Sequence, residues 1–270
     1  MKPEKLFEQI QKKHSYLCVG LDTEFEKIPS FLHKEKDPIF AFNRRIIEAT
    51  HKYAVAYKPN IAFYEALGTK GWDSLARTLE VIPDDIFVIA DAKRGDIGNT
   101  SRLYARTFFE TFRFDAVTVA PYMGLDSVSP FLEFEDKWVF LLALTSNTGS
   151  QDFQYHTEAG VPLYQKVLKA GKDWNSRYPG HLGFVVGATH PEALREVRQI
   201  VPDSFLLVPG VGAQGGDLKA VCTHGSTPSG GLLINSSRGI IYAGNGEDFA
   251  EKAHEAAREL QQEMAGFMAF

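Results

Sequence analysis

Short, almost uninterrupted apolar runs alternate along the chain with longer stretches in which apolar residues recur at helical spacing. The runs cover residues 15–22, 54–60, 87–90, 116–122, 138–146, 183–189, 205–210 and 231–235. Rich in Val, Ile, Leu and Phe with few polar interruptions, they have the pattern of strands buried on both faces of a parallel sheet. Between them the spacing predicts helices over 3–13, 39–52, 63–81, 100–113, 126–134, up to about 176, from 191, and over 216–222 and 246–264. Pro191 suits a first helical turn, and the polar stretch 147–156 is the one long break in the alternation. Eight strand–helix units at this length predict an α/β chain folded as a single (β/α)8 TIM barrel over residues 1–270, with no linker or low-complexity segment dividing it.

Such barrels carry their chemistry at the C-terminal ends of the strands. The strand-ending residues are Asp22, Lys58, Asp91 with Lys93, Pro121 with Tyr122, Ser146, Thr189, Gly212 with Gln214, and Arg238. The densest group is the third strand, where Phe87-Val-Ile-Ala90 runs into Asp91-Ala-Lys93-Arg94-Gly95-Asp96. Asp91 and Lys93 are two apart, so a strand points both to one face. Unpaired buried charge is costly, so these groups must pair, meet solvent or act. A structural ion pair is the plain reading, but charged ends gathered on one rim favour a site.

The glycine-rich segments 209–217 and 235–239 follow strands 7 and 8, where barrels commonly hold phosphate on backbone N–H groups and a helix N-terminus. Arg238 can add a charge-assisted contact there. The spacing Gly210-x-Gly212-x-x-Gly215 also fits a dinucleotide fingerprint, yet it comes late in the series and lacks an acid-ended strand about 20 residues on. Lysines flanked by carboxylates should stay protonated and can deliver a proton in a dry site.

Composition narrows the classes. A net charge of −5 argues against a general nucleic-acid binder. Cys18 and Cys222 lack metal-ligand spacing and read as buried thiols of a reducing compartment, and the eight histidines, His181 and His190 among them, read as surface or capping residues. The N-terminal segment is amphipathic, no run reaches about 18 apolar residues, and a cytoplasmic protein with no membrane contact is expected.

The segment Asp91-Ala-Lys93-Arg-Gly-Asp96-Ile97-Gly-Asn-Thr100 resembles the signature of the orotidine 5′-phosphate decarboxylases. The likeness extends through Gly20-Leu-Asp22, Lys58-Pro-Asn60, Pro121-Tyr122-Met-Gly124, Thr145-Ser146-Asn147, Val186-Gly-Ala-Thr189, Pro209-Gly-Val-Gly-Ala-Gln214 and Ser236-Ser237-Arg238. It implies conversion of orotidine 5′-phosphate to UMP, the last step of pyrimidine nucleotide synthesis, with no cofactor and no metal. Lys93 matches the lysine that protonates C6, Asp91 the acid crowding the substrate carboxylate, and Lys58 the lysine within that network. Asp96 matches an acid entering the neighbouring subunit's site, with Ile97 and Thr100 beside it, which implies a homodimer. Asp22 matches a ribose ligand, Ser146 a pyrimidine contact, and Gln214 and Arg238 phosphate ligands, with Pro209 in the same substrate-binding set. The closing lid falls either within 147–180 or in the loop after strand 7. The alternative is a Mg²⁺-dependent sugar-phosphate decarboxylase or aldolase of related barrel type, which would hold its metal partly with a Glu where this chain has Lys58.

Overall fold

The apolar runs pair side by side and close on themselves. The computed structural model describes residues 1–188, 191–211 and 216–268. Its barrel strands are β1 (Leu17–Leu21), β2 (Ala56–Pro59), β3 (Phe87–Arg94), β4 (Ala116–Val119), β5 (Trp138–Leu144), β6 (His181–Val186), β7 (Leu206–Pro209) and β8 (Leu232–Ser236). All pair in parallel with their sequence neighbours, and β1 closes the ring against β8 with Cys18 opposite Asn235. Closure leaves the barrel sheet without a free edge. The (β/α)8 barrel expected from the pattern is the fold.

Two different fillings divide the barrel along its axis. At the N-terminal strand ends Phe87, Trp138 and Phe205 meet edge to face, with Phe87 and Phe205 centred 5.6 and 5.4 Å from Trp138. Each such ring contributes about 1.5–3 kcal/mol by leaving water, so the floor is apolar and packed. The charged residues are thereby confined to the opposite mouth. His181 departs from the surface role expected of it: it begins β6, its ring lies 4.9 Å from Trp138, and its Nε2 is buried without a hydrogen-bond partner. Burial lowers its pKa.

Several helices differ from the expected spans. The 63–81 stretch is two helices, Ile61–Glu65 and Thr69–Glu80. Gly68 turns the chain at φ +63°, and a Cβ on Gly71 would lie 1.8 Å from the Tyr64 carbonyl oxygen, so the two helices touch backbone to backbone. The 100–113 helix starts at Gly98, and after Arg106 it widens into a π turn over Thr107–Thr111. Within 147–162 lie a short helix, Ser150–Phe153, and a hairpin pairing Thr157–Glu158 with Val161–Pro162. Two-residue strands carry no readable periodicity, so the pattern does not show them. Gln154 ties this insertion to the end of β5, accepting from Thr145 N at 2.7 Å and donating to Thr145 Oγ1 at 2.8 Å. Among the described residues no helix is long and apolar enough to cross a membrane.

Candidate active site

Four sequence-selected residues form one continuous line of alternating charge at the C-terminal mouth. Lys58, at the end of β2, is almost fully buried, with its Nζ 2.7 Å from Asp91 Oδ2 and 4.0 Å from Asp22 Oδ1. Asp91 then pairs through Oδ1 with Lys93 Nζ. Order along the line is therefore Asp22, Lys58, Asp91, Lys93. The two inner members are enclosed, whereas about half of the Lys93 side chain faces the mouth. Burial opposes the charge on Asp91, but the Lys58 and Lys93 ammonium groups outweigh it and hold the carboxyl far below the usual range. For Lys58 burial favours the neutral amine, and Asp91 followed by Asp22 more than reverses this. Both groups are charged at neutral pH. Asp22 Oδ1 is buried without a hydrogen bond and faces the Lys58 ammonium, while about a fifth of the Asp22 side chain is exposed.

Lys93 reaches this line by an unusual route. The simple strand argument places it on the face of Asp91, and the two do meet, but the strand is not regular there. Ala90 pairs with Val117, whereas the next pairing joins Arg94 to Val119, so β3 bulges against β4. Lys93 sits at φ +49°, a left-handed backbone that a non-glycine residue adopts only when its surroundings impose it. Arg94 braces the bulge: it donates from Nη1 to Ala92 O at 3.0 Å, pairs with Glu65, and lies over the Tyr104 ring. Thr118 of β4 braces it from beneath, through Ala92 N, Lys93 N and Asp91 Oδ1. Strand spacing does not single out Thr118, because a threonine in a strand reads as an ordinary β former.

The remaining candidates divide into two groups. Ser146 follows β5 and is half-buried, and Gly187 passes so close that a Cβ there would meet Ser146 backbone N at 2.9 Å. Pro209 ends β7, and Arg238 opens the helix Arg238–Ile241 just past β8 with its side chain exposed. Gly210 turns at φ +95°, and Val211 bridges Gly216. Gln214, Gly212 and Thr189 lie outside the described residues. Asp96, Ile97 and Thr100 instead lie on the turn and helix beyond β3. Asp96 accepts from Ile97 N at 2.7 Å and, among the described residues, forms no ion pair. Ile97, Leu103, Tyr122 and Met123, on the turn and helix after β3 and the turn after β4, are exposed apolar residues.

The ring of strands, with a Lys–Asp–Lys line running from the interior to its C-terminal mouth, places the chain among the (β/α)8 barrels. Residues 15–253 match the model of the orotidine 5′-phosphate decarboxylase / HUMPS family, and the chain belongs to that family. It is 58% identical over 268 residues to the orotidine 5′-phosphate decarboxylase of Christiangramia forsetii, covering 98% of each chain. The enzyme of the same name from Bacteroides fragilis is 56% identical over 269 residues, covering 98% of this chain and 97% of that one. Among solved structures, the Leishmania donovani OMP decarboxylase superposes with a TM-score of 0.86 at 39% identity, covering 99% of both chains.

Proposed function

We propose that this chain decarboxylates orotidine 5′-phosphate to UMP with the Asp22–Lys58–Asp91–Lys93 line as its reacting centre. The reaction is the one for which its relatives at 54–58% identity are named. The observation carrying the residue assignment is that line, with its half-exposed end at Lys93. Asp91 cannot accept a proton near neutral pH, so a substrate carboxylate placed beside it meets a fixed negative charge. That repulsion raises the bound ground state and disappears as the carboxylate departs as carbon dioxide. The electron pair of the broken bond remains on C6, and Lys93 Nζ donates a proton to it. Lys58 holds Asp91 ionised and in place. No step calls for a metal or an organic cofactor.

The Asp22 carboxylate supplies the acceptor for a ribose hydroxyl, Ser146 a contact to the pyrimidine, and Pro209, Gln214 and Arg238 the phosphate end. Arg238 suits this role as an exposed guanidinium at the mouth. Asp96, Ile97 and Thr100 serve the site of a second copy in a homodimer. The exposed side chains of Ile97 (58%), Leu103 (52%) and Tyr122 (91%) support this, since apolar surface of that kind is commonly covered by a partner. The buried free thiols Cys18 and Cys222 fit a cytoplasmic enzyme.

Absorbance loss of orotidine 5′-phosphate in EDTA tests the activity, with Lys93→Ala expected to abolish it. Mixing Lys93→Ala with Asp96→Ala chains tests the shared site. Heterodimers then contain one intact site, and about a quarter of native activity should return. Turnover that requires added Mg²⁺ would overturn the first reading, and two inactive chains that stay inactive on mixing would overturn the second.

A further inference from the structure

Thr118 is a buried hydroxyl whose bonding capacity is fully used at one place. It accepts from Ala92 N at 3.0 Å and from Lys93 N at 2.9 Å, and lies 3.2 Å from Asp91 Oδ1. A hydroxyl has one proton and two lone pairs. Both backbone groups can only donate, so they occupy the lone pairs, and the one proton must point at the carboxylate. The hydroxyl is therefore oriented without ambiguity by its three partners.

Those partners are the residues whose geometry the chemistry depends on. Across the bulge, β3 advances four positions, from Ala90 to Arg94, while β4 advances two, from Val117 to Val119. The Ala92 and Lys93 N–H groups thereby lose the carbonyl partners of a regular ladder, and Thr118 Oγ1 replaces both. The left-handed turn at Lys93 is strained for a residue with a side chain and lasts only while neighbours hold it. Without the hydroxyl, Lys93 is free to relax toward extended backbone and its Nζ swings away from Asp91.

We propose that Thr118 is a positioning residue for the decarboxylation: its hydroxyl clamps the bulge of β3 so that Lys93 Nζ and the Asp91 carboxylate are set against the substrate. The inference rests on the roles given above to Lys93 and Asp91. Thr118→Val keeps the shape and removes all three hydrogen bonds, Thr118→Ala removes them without a branched side chain, and Thr118→Ser retains them. For each, kcat and KM on orotidine 5′-phosphate, the affinity for UMP and the circular dichroism melt are measured, with Lys93→Ala alongside.

Misplacing a reacting group by about 1 Å costs about 100-fold. The Val and Ala variants should therefore lose about 100-fold in kcat; UMP, which has no carboxylate to meet Asp91, should bind within about threefold of native, and KM should not rise by more than about threefold, since relief of the Asp91 repulsion only lowers it. Thr118→Ser should recover to within about fivefold. A folded Val or Ala variant with near-native kcat overturns the proposal, as does a Ser variant as poor as Val. So does failure of both Val and Ala to fold, which would make Thr118 a stability residue. If Lys93→Ala remains active, the reading of Lys93 itself falls and this proposal with it. A dead Lys93→Ala beside a fully active Thr118→Val sinks only the role of Thr118.

Discussion

Gly20 offers a way to move Arg238 without touching it. On β1, Gly20 lies against the chain leaving β8, and a Cβ built there would stand 1.8 Å from Ser237 Oγ and 2.8 Å from Ser237 Cβ. Rotating the hydroxyl relieves the first clash but not the second. Ordinary contact begins at 3.4 Å, so in Gly20→Ala the Ser237 backbone must retreat by about half an ångström, at an overpacking cost of about 1–3 kcal/mol. Arg238 is the next residue and moves with it. A charge-assisted hydrogen bond to phosphate is worth about 1.5–3 kcal/mol, so complete loss of Arg238 should lower kcat/KM by about 10- to 150-fold, and its displacement by about tenfold. Initial rates on orotidine 5′-phosphate for Gly20→Ala, Arg238→Ala and the double variant decide the matter. If Gly20 acts through Arg238, the double variant is no slower than Arg238→Ala alone. Losses that multiply, or an unimpaired Gly20→Ala, would refute the reasoning.

The Lys58–Asp91 pair makes a pH prediction of definite sign. The Asp91 carboxyl is held below its ordinary 3.8, so its stabilisation is fully present above about pH 4 and is lost progressively as pH falls below that value toward the depressed one, while that of Lys58 is present below its ordinary 10.5 and is lost as pH rises beyond it. Melting temperature should therefore fall more steeply from pH 5 to 3 in the native chain than in Asp91→Asn, and parallel curves would falsify the depressed carboxyl. At pH 7 the same variant leaves a buried ammonium short of its partner and should lose about 3–5 kcal/mol in urea unfolding. Burial pushes both cysteine thiols up to about 12, so a disulfide reagent should titrate no thiol in the native protein and two after denaturation. A prompt single thiol would show that one of these sites opens.

The barrel was legible because its strands are buried on both faces, and continuous apolar runs ending in charge mark where each strand meets the mouth. Lys58, Asp91 and Lys93 could be placed together on that ground alone. What strand spacing could not supply was the manner of their meeting. Regular alternation puts Asp91 and Lys93 on one face, yet the contact is made through a bulge with Lys93 in a left-handed turn, and no composition rule announces that conformation. Thr118 was hidden for the related reason that its importance comes from a non-local partner strand. The break at Gly68 was missed because the apolar spacing runs on across it, while its cause is the close approach of Gly71 to the Tyr64 carbonyl. His181 was misjudged because a lone histidine beside one apolar run does not disclose the tryptophan from another strand that covers it.

Ring closure has a consequence for how the chain comes to maturity. The contact of Cys18 Sγ with Asn235 Oδ1 joins residues 217 apart, and pairings of such separation form slowly because so much chain must be ordered first. Until β8 docks, β1 and β7 each present an unpaired edge open to other chains. The proposed ligands share this timetable: Asp22 and Lys58 are synthesised well before Arg238. A nucleotide that needs both ends can bind only the finished ring, and a hundredfold excess over its Kd would favour that ring by about 2.7 kcal/mol. The supply of pyrimidine precursor in the cell would then bear on how much of the newly made enzyme survives, as well as on how fast it works.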